Sequence, residues 1–185
     1  MNLNDAGVPP LAFVQMLESH ALDPDVVARL RDVMAREGTD EATLIRRDIQ
    51  APLRWLREVY PDLDVDQGTL LGFAFAGQAQ LTSFGPLSVP LVSAGSVAEI
   101  VELLTYLPLI TAAINPQFHP NDDGLTVGLS GHTGDPALDC LAVTYTGSAL
   151  LRLMDMLVGP APTVALHVGW PAPVAPAPVN VAPAT

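Results

Sequence analysis

The chain has 185 residues, of which 49% are apolar, 15% charged and 5% aromatic, enough for one domain with a core of its own. Its formal charge is −12, from 20 acidic and 8 basic residues, and every basic residue is an arginine. So few cations leave counterion release little to work with, which argues against DNA, RNA and anionic membrane surfaces as direct partners. The single cysteine, Cys140, rules out an intrachain disulfide and a CxxC metal knuckle, and reads as a small buried apolar residue. No secretory leader pattern and no run of eighteen apolar residues is present, so a cytoplasmic chain with no membrane partner is expected.

Residues 2–10 read as a polar lead-in ending in Pro9 and Pro10, before a short helix at about 11–20 with Phe13, Val14 and Leu17 inward. Asp23 and Pro24 start a second helix as N-cap and first helical residue. Val26, Val27, Leu30, Val33 and Met34 recur at helical spacing until Gly38 supplies a left-handed cap. A third helix spans about 41–47, and Pro52 opens a fourth carrying Leu53, Leu56, Val59 and Tyr60 until Pro61. Seven arginines, Arg29, Arg31, Arg36, Arg46, Arg47, Arg54 and Arg57, lie on this helical first third. They read either as a solvated face with local ion pairs or as a partner surface.

Residues 62–68 read as a loop, whose Asp62, Asp64 and Asp66 lack the EF-hand glycine and closing glutamate and so point to solvation rather than calcium. The apolar run 69–78 carries Gly72 and Gly77, which allow close backbone approach; no phosphate-loop pattern is present. After a turn-rich stretch at 83–91, Ser96-Val-Ala-Glu99 is a capping box. The helix it opens has Val97, Ile100, Val101, Leu104 and Leu107 on one face and Glu99, Glu102 and Tyr106 on the other. At residue 117 the period changes: two strands, 117–120 and 125–130, flank a turn at 121–124, with Leu125, Val127 and Leu129 alternating toward a core. Asp135 and Pro136 cap a long helix that runs to about Val158 and stops at Gly159-Pro160. That helix is apolar almost all round, except for a stripe of Thr144, Ser148, Arg152 and Asp155, which makes it central to the core. Residues 163–168 read as a third strand and 171–178 as a proline-alanine linker. The expected fold is α+β, a mostly helical domain with a small antiparallel sheet and a strand-strand-helix-strand unit over 117–168. Residues 1–170 form the domain and 171–185 a flexible Pro/Ala-rich tail.

No residue set nominates catalysis or a cofactor. His20, His119, His132 and His167 occur singly, no serine sits in G-x-S-x-G, and the long helix offers no histidine to a haem. An acyl-handling enzyme therefore lacks a nucleophile. The apolar set Leu70, Phe73, Phe75, Leu104, Leu107, Leu141, Tyr145 and Met156 is larger than three short strands require. From it, Phe73, Phe75, Leu104, Leu107, Leu141 and Tyr145, with Ser148 and Arg152, form a candidate site for a small apolar or fatty-acid-like effector. Arg152, the one cation after Arg57, either pairs with Asp155, Asp139 or an acidic loop or holds the effector's carboxylate, with Thr144 and Ser148 as further donors.

Leu70-Leu-Gly-Phe-Ala-Phe-Ala-Gly-Gln, then Gly95-Ser-Val-Ala-Glu-Ile-Val-Glu-Leu-Leu-Thr-Tyr-Leu-Pro-Leu, then the hairpin around Asp122-Asp-Gly-Leu-Thr-Val resemble the amino-terminal sensor domain of AraC/XylS transcriptional regulators, in the branch labelled arabinose-binding. The likeness covers about 42–171 and rests on helix punctuation and spacing; Ile100 follows the capping Glu99 where the family often has alanine. It implies a bacterial, cytoplasmic, effector-sensing and dimerising domain in front of paired DNA-binding helix-turn-helix motifs. No basic helix-turn-helix region follows here, and a proline-alanine stretch stands where further strands are expected, so the chain reads as an excised sensor or a stand-alone relative. Arabinose is not implied as ligand, because no cluster of Asn, Asp, Arg and Trp suited to a sugar is visible. Two functions follow: an effector-sensing domain that forms a homodimer through the helix capped at Ser96 or the long helix from Pro136, or a module that only dimerises and traps full-length regulators in mixed dimers.

Overall fold

In a computed structural model, which describes residues 6–121, 124–159 and 169–170, the helical periodicity of the first third resolves into α1 (Pro10–Glu18), α2 (Pro24–Arg36), α3 (Glu41–Arg47) and α4 (Arg54–Val59). Asp23 caps α2 by accepting from the Asp25 amide at 2.8 Å, and α2 buries the five apolar residues its spacing selects. Its chain reverses at Gly38, whose φ of 73° is the left-handed conformation glycine adopts without a Cβ penalty. Trp55 of α4 packs edge-to-face on Phe13 of α1, with ring centroids 5.7 Å apart.

The lead-in is more ordered than its reading as a polar segment. Gly7–Val8 form strand β1, paired antiparallel with β2 (Ala51–Pro52), Gly7 opposite Pro52 and Val8 opposite Ala51. Residues 6–10 carry no charge and are buried, and a Cβ on Gly7 would lie 2.9 Å from the Ala51 carbonyl oxygen. Pro52 therefore belongs to a strand and does not open α4; lacking an N–H, it is tolerated on a two-stranded ribbon.

The acidic stretch at 62–68 is likewise part helix. Asp64 accepts from the Gln67 amide at 2.8 Å while Gln67 reaches back to the Asp64 amide, a capping box that starts α5 (Val65–Ala76). A 3-10 helix, Leu81–Leu87, bends at Gly85 (φ 54°) into α6 (Ser88–Ser93), followed by α7 (Val97–Leu104) and α8 (Leu107–Ile110). Ser96 caps α7 as its spacing requires, but the Glu99 carboxylate accepts from Gly95, one residue before the cap, at 2.7 Å. Ile100, Leu104 and Leu107 are buried, and Glu99, Glu102 and Tyr106 point outward.

β3 (Ile114–Asn121) and β4 (Gly124–Gly131) pair antiparallel from Ile114 opposite Gly131 to Asn121 opposite Gly124. The turn residues 122–123 lie outside the described residues, as do the expected third strand at 163–168 and the tail at 171–185. Burial fades along this ribbon. Ala113 and Ile114 at its base are buried, Val127 and Leu129 are half-buried, and Leu125 is exposed rather than core-facing, because a ribbon two strands wide stands out from the core as it lengthens.

α9 (Pro136–Val158) is central as its apolar composition implies: it packs along α5 and also touches β3, β4 and α7. Asp135 caps it, accepting from the Ala137 and Leu138 amides. The same carboxylate receives Arg57 of α4 bidentately, at 2.7 Å for both bonds, and Arg57 also donates to the carbonyls of Pro61 (3.0 Å) and Leu63 (2.9 Å). Other arginines make shorter-range pairs, Arg31 with Glu41, Arg36 with Glu58 and Arg54 with Glu37, the local ion pairs expected of this third. Arg57 differs in spanning 78 residues. Beyond α9, Trp170 returns to the core and its indole N–H donates to the Thr69 hydroxyl of α5 at 2.9 Å. The fold is α+β, mostly helical, with two small antiparallel two-stranded sheets. No helix among the described residues is long and apolar enough to cross a membrane.

Candidate functional site

The α5–α9 seam is built by small residues. Gly68, Gly72 and Ala76 recur every fourth residue of α5 and so share one face, and α9 lies directly on it. A Cβ on Gly68 would come within 2.3 Å of the Ala137 carbonyl oxygen, and one on Gly72 within 2.7 Å of that of Leu141 and 2.8 Å of the Thr144 Cβ. Gly68 beside Ala137 and Gly77 beside Arg152 bring like ends together, so the two helices run parallel.

This geometry places the polar stripe of α9. Thr144 faces Gly72, and the hydroxyls of Thr144 and Ser148 are both buried without a hydrogen-bond partner among the described residues. One turn on, Arg152 donates to the Gly77 carbonyl at 2.7 Å. The ion pair expected with Asp155 or Asp139 is not formed among the described residues. Asp139 instead accepts from the Thr133 amide (2.8 Å) and hydroxyl (2.6 Å). Because α9 runs parallel to α5, Arg152 falls beside the C-terminus of α5, where unpaired carbonyls and the negative end of the helix dipole attract a cation.

Of the eight residues read as a candidate site, Phe75, Leu104, Leu107, Leu141 and Tyr145 are buried in the closed core. Ser148 is half-buried at the seam, while Arg152 is exposed and Phe73 is 43% exposed. Phe73 stands one turn before Gly77 on α5, and Met156, 55% exposed, one turn beyond Arg152 on α9. Ser148 and Arg152 thus lie one turn apart on α9, Phe73 is exposed on α5, and Leu104 and Leu107 belong to α7 and α8. Burial pushes the Tyr145 phenol up to about 12, opposed by a hydrogen bond with Ser83; the Ser83 hydroxyl also donates to the Gln15 side-chain oxygen. Burial also raises the Cys140 thiol, in keeping with a small buried side chain.

A second opening escaped the sequence reading. A cleft of about 340 Å³ lies between α6 and α7, lined by Pro90, Ser93, Ala94, Glu99, Glu102, Leu103 and Tyr106, none of them among the eight. The available signal was α6 itself, Ser-Val-Pro-Leu-Val-Ser, too short to bury more than Leu91 and leaving Val89 and Val92 exposed. Among the described residues no three His, Cys, Asp or Glu side chains are grouped to hold a metal ion.

Over residues 22–182 the sequence matches the arabinose-binding domain of AraC transcription regulator, N-terminal, and the chain belongs to this family. The match runs past both ends of the 42–171 stretch that carries the resemblance. It makes the chain a ligand-sensing N-terminal domain of an AraC-type transcriptional regulator. No curated protein matches the chain.

Proposed function

We propose that the domain senses a small, largely apolar effector with a carboxylate head, a fatty-acid-like molecule, at the open margin of the α5–α9 seam. The observation that carries this reading is the placement, one turn apart on α9, of a buried hydroxyl with no partner among the described residues, Ser148, and an exposed guanidinium, Arg152. A buried hydroxyl left without a bond costs about 1–3 kcal/mol, and a carboxylate would accept from it and from the arginine's planar fork together. Exposed Phe73 and Met156 offer apolar surface to a tail, while Phe75, Leu141 and Tyr145, with Leu104 and Leu107 deeper in the core, form the packed wall behind.

Thermal unfolding tests this with fatty acids of graded length and the alcohols of the same lengths. The acids are expected to raise the melting temperature, by the equivalent of about 2.7 kcal/mol at a hundredfold excess over Kd, and the alcohols to do so far less. Arg152→Met should abolish the ligand-induced shift while costing the free protein about 0.5–1 kcal/mol for the lost contact at the end of α5. Equal stabilisation of variant and wild type by the acids would rule out the anchor.

The same reading makes the chain a bacterial cytoplasmic sensor that forms a homodimer and leaves DNA recognition to another domain. With a charge of −12 and no lysine, it should not retain duplex DNA at physiological salt; a salt-dependent gel shift at submicromolar protein would overturn that expectation. A second reading, dimerisation without an effector, is favoured by the exposed apolar side chains of α6 and α8, and predicts self-association with no thermal shift from any ligand.

A further inference from the structure

We infer that a second copy of this chain docks on the α6–α8 face, each copy seating the basic ridge of its α3 in the acidic cleft of the other. The inference rests on the reading of the domain as self-associating and assigns that association a surface.

The cleft has an apolar floor that includes Leu103 and Tyr106, and a rim of two exposed carboxylates, Glu99 and Glu102. Neither has a cation within 4 Å among the described residues; Glu99 accepts from the Gly95 amide. Beside it Val89 and Leu109 are each 76% exposed. Helix α3 presents the complement. Ile45 and Ile49 are exposed large apolar side chains, and between them lie the exposed Arg46, Arg47 and Asp48, two cations against one carboxylate. Among the described residues Arg46 donates to the Thr43 hydroxyl, and neither arginine is within 4 Å of a carboxylate.

The segment after α3 is tied to the segment after α8. The side-chain oxygen of Gln50, next to Ile49, accepts from the Ala112 amide at 3.0 Å, and Ala112 is three residues beyond Leu109. A basic ridge and an acidic cleft carried by the same copy can both be satisfied at once by a two-fold axis, ridge to cleft twice, which closes the assembly at a dimer. A chain of charge −12 repels its copies at most other faces; this pairing sets its cations against its carboxylates, with apolar contact supplying affinity and charge supplying register.

Charge exchange tests the pairing, using sedimentation velocity and native mass spectrometry on the full chain. Arg46→Glu with Arg47→Glu in one protein, and Glu99→Arg with Glu102→Arg in another, should each weaken self-association about tenfold or more. Circular dichroism identical to wild type shows that each remains folded. Mixed, the two proteins should form a heterodimer within about threefold of the wild-type dissociation constant, because that pair alone restores opposite charges at both contacts. Leu109→Ser, which changes no charge, should also weaken the dimer. Variants that dimerise as the wild type does would overturn this surface and leave self-association standing through another face. A wild type that stays monomeric at about 100 µM, well above the Kd of an ordinary homodimer, would overturn both.

Discussion

Gly72→Val is expected to cost more than about 4 kcal/mol, enough to unfold a domain of ordinary stability at physiological temperature. A valine Cβ would sit 2.7 Å from the Leu141 carbonyl and 3.0 Å from the Tyr145 amide nitrogen, both backbone groups that cannot rotate away, and the γ-methyls would drive α9 further off α5. Because this is the most extensive helix contact in the molecule, separation would also expose Leu141 and Leu153, both fully buried. Gly72→Ala should cost about 1–3 kcal/mol, after the roughly 1 kcal/mol that alanine gains over glycine within a helix. Gly77→Ala is the control: its φ is an ordinary helical −59°, its Cβ would meet only its own helix, at 3.2 Å, and it should change stability by less than about 1 kcal/mol. Urea denaturation of the three variants checks the ordering; a Gly72→Ala midpoint at or above wild type would mean that helix propensity, and not the seam, governs the position.

Arg57→Met should destabilise the protein by about 3 kcal/mol, far more than loss of the Arg31 or Arg36 pair. Arg57 joins α4, the 61–63 carbonyls and the N-cap of α9 through one guanidinium, and both partners are mostly buried, with side chains 31% and 25% exposed. The pairs of Arg31 and Arg36 are more open and worth less than about 1 kcal/mol each. The hydrogen bond from Arg57 holds the Asp135 carboxyl below its usual range, helped by the Leu138 and Ala137 amides and opposed by burial. A carboxyl that titrates lower folded than unfolded contributes fully above its unfolded value, near 4, and loses that contribution as pH falls through the folded one. The gap in urea midpoint between wild type and Arg57→Met should therefore be widest near neutrality and narrow below about pH 4. A constant gap down to pH 2 would mean that Arg57 acts through packing and its carbonyl contacts alone.

Legibility in the sequence followed the range of the forces involved. Helix starts at Asp23-Pro24, Ser96 and Asp135-Pro136 could be read because a cap is satisfied by residues two or three away. The start of α5 carried the same signature, Asp64 with Gln67, but clustered aspartates and Gly68 resemble turn chemistry and hid it. Strands β1 and β2, two residues each and more than forty apart, leave no period to detect. The stripe of Thr144, Ser148 and Arg152 is visible on α9, yet what it faces depends on a parallel neighbour more than seventy residues earlier in the chain. For that reason Arg152 was expected to find a carboxylate on its own helix and instead finds the end of α5. Leu104 and Leu107 were grouped with Phe73 by hydrophobicity, which cannot distinguish a closed core from an exposed margin. The α6–α7 cleft depended on how two short helices lean together, and no local pattern records that.

The tryptophans Trp55 and Trp170 occupy unlike surroundings: Trp55 is 2% exposed within the N-terminal helices, and Trp170 is half-buried with its indole N–H on the Thr69 hydroxyl of α5. The chain holds no others, so its intrinsic emission is the sum of two signals with different solvent environments. The Trp55 component reports on the helical first third, while the Trp170 component reports on α5. Occupation of the neighbouring margin is thereby optically separable from loosening of the amino-terminal helices, in a protein that carries no label.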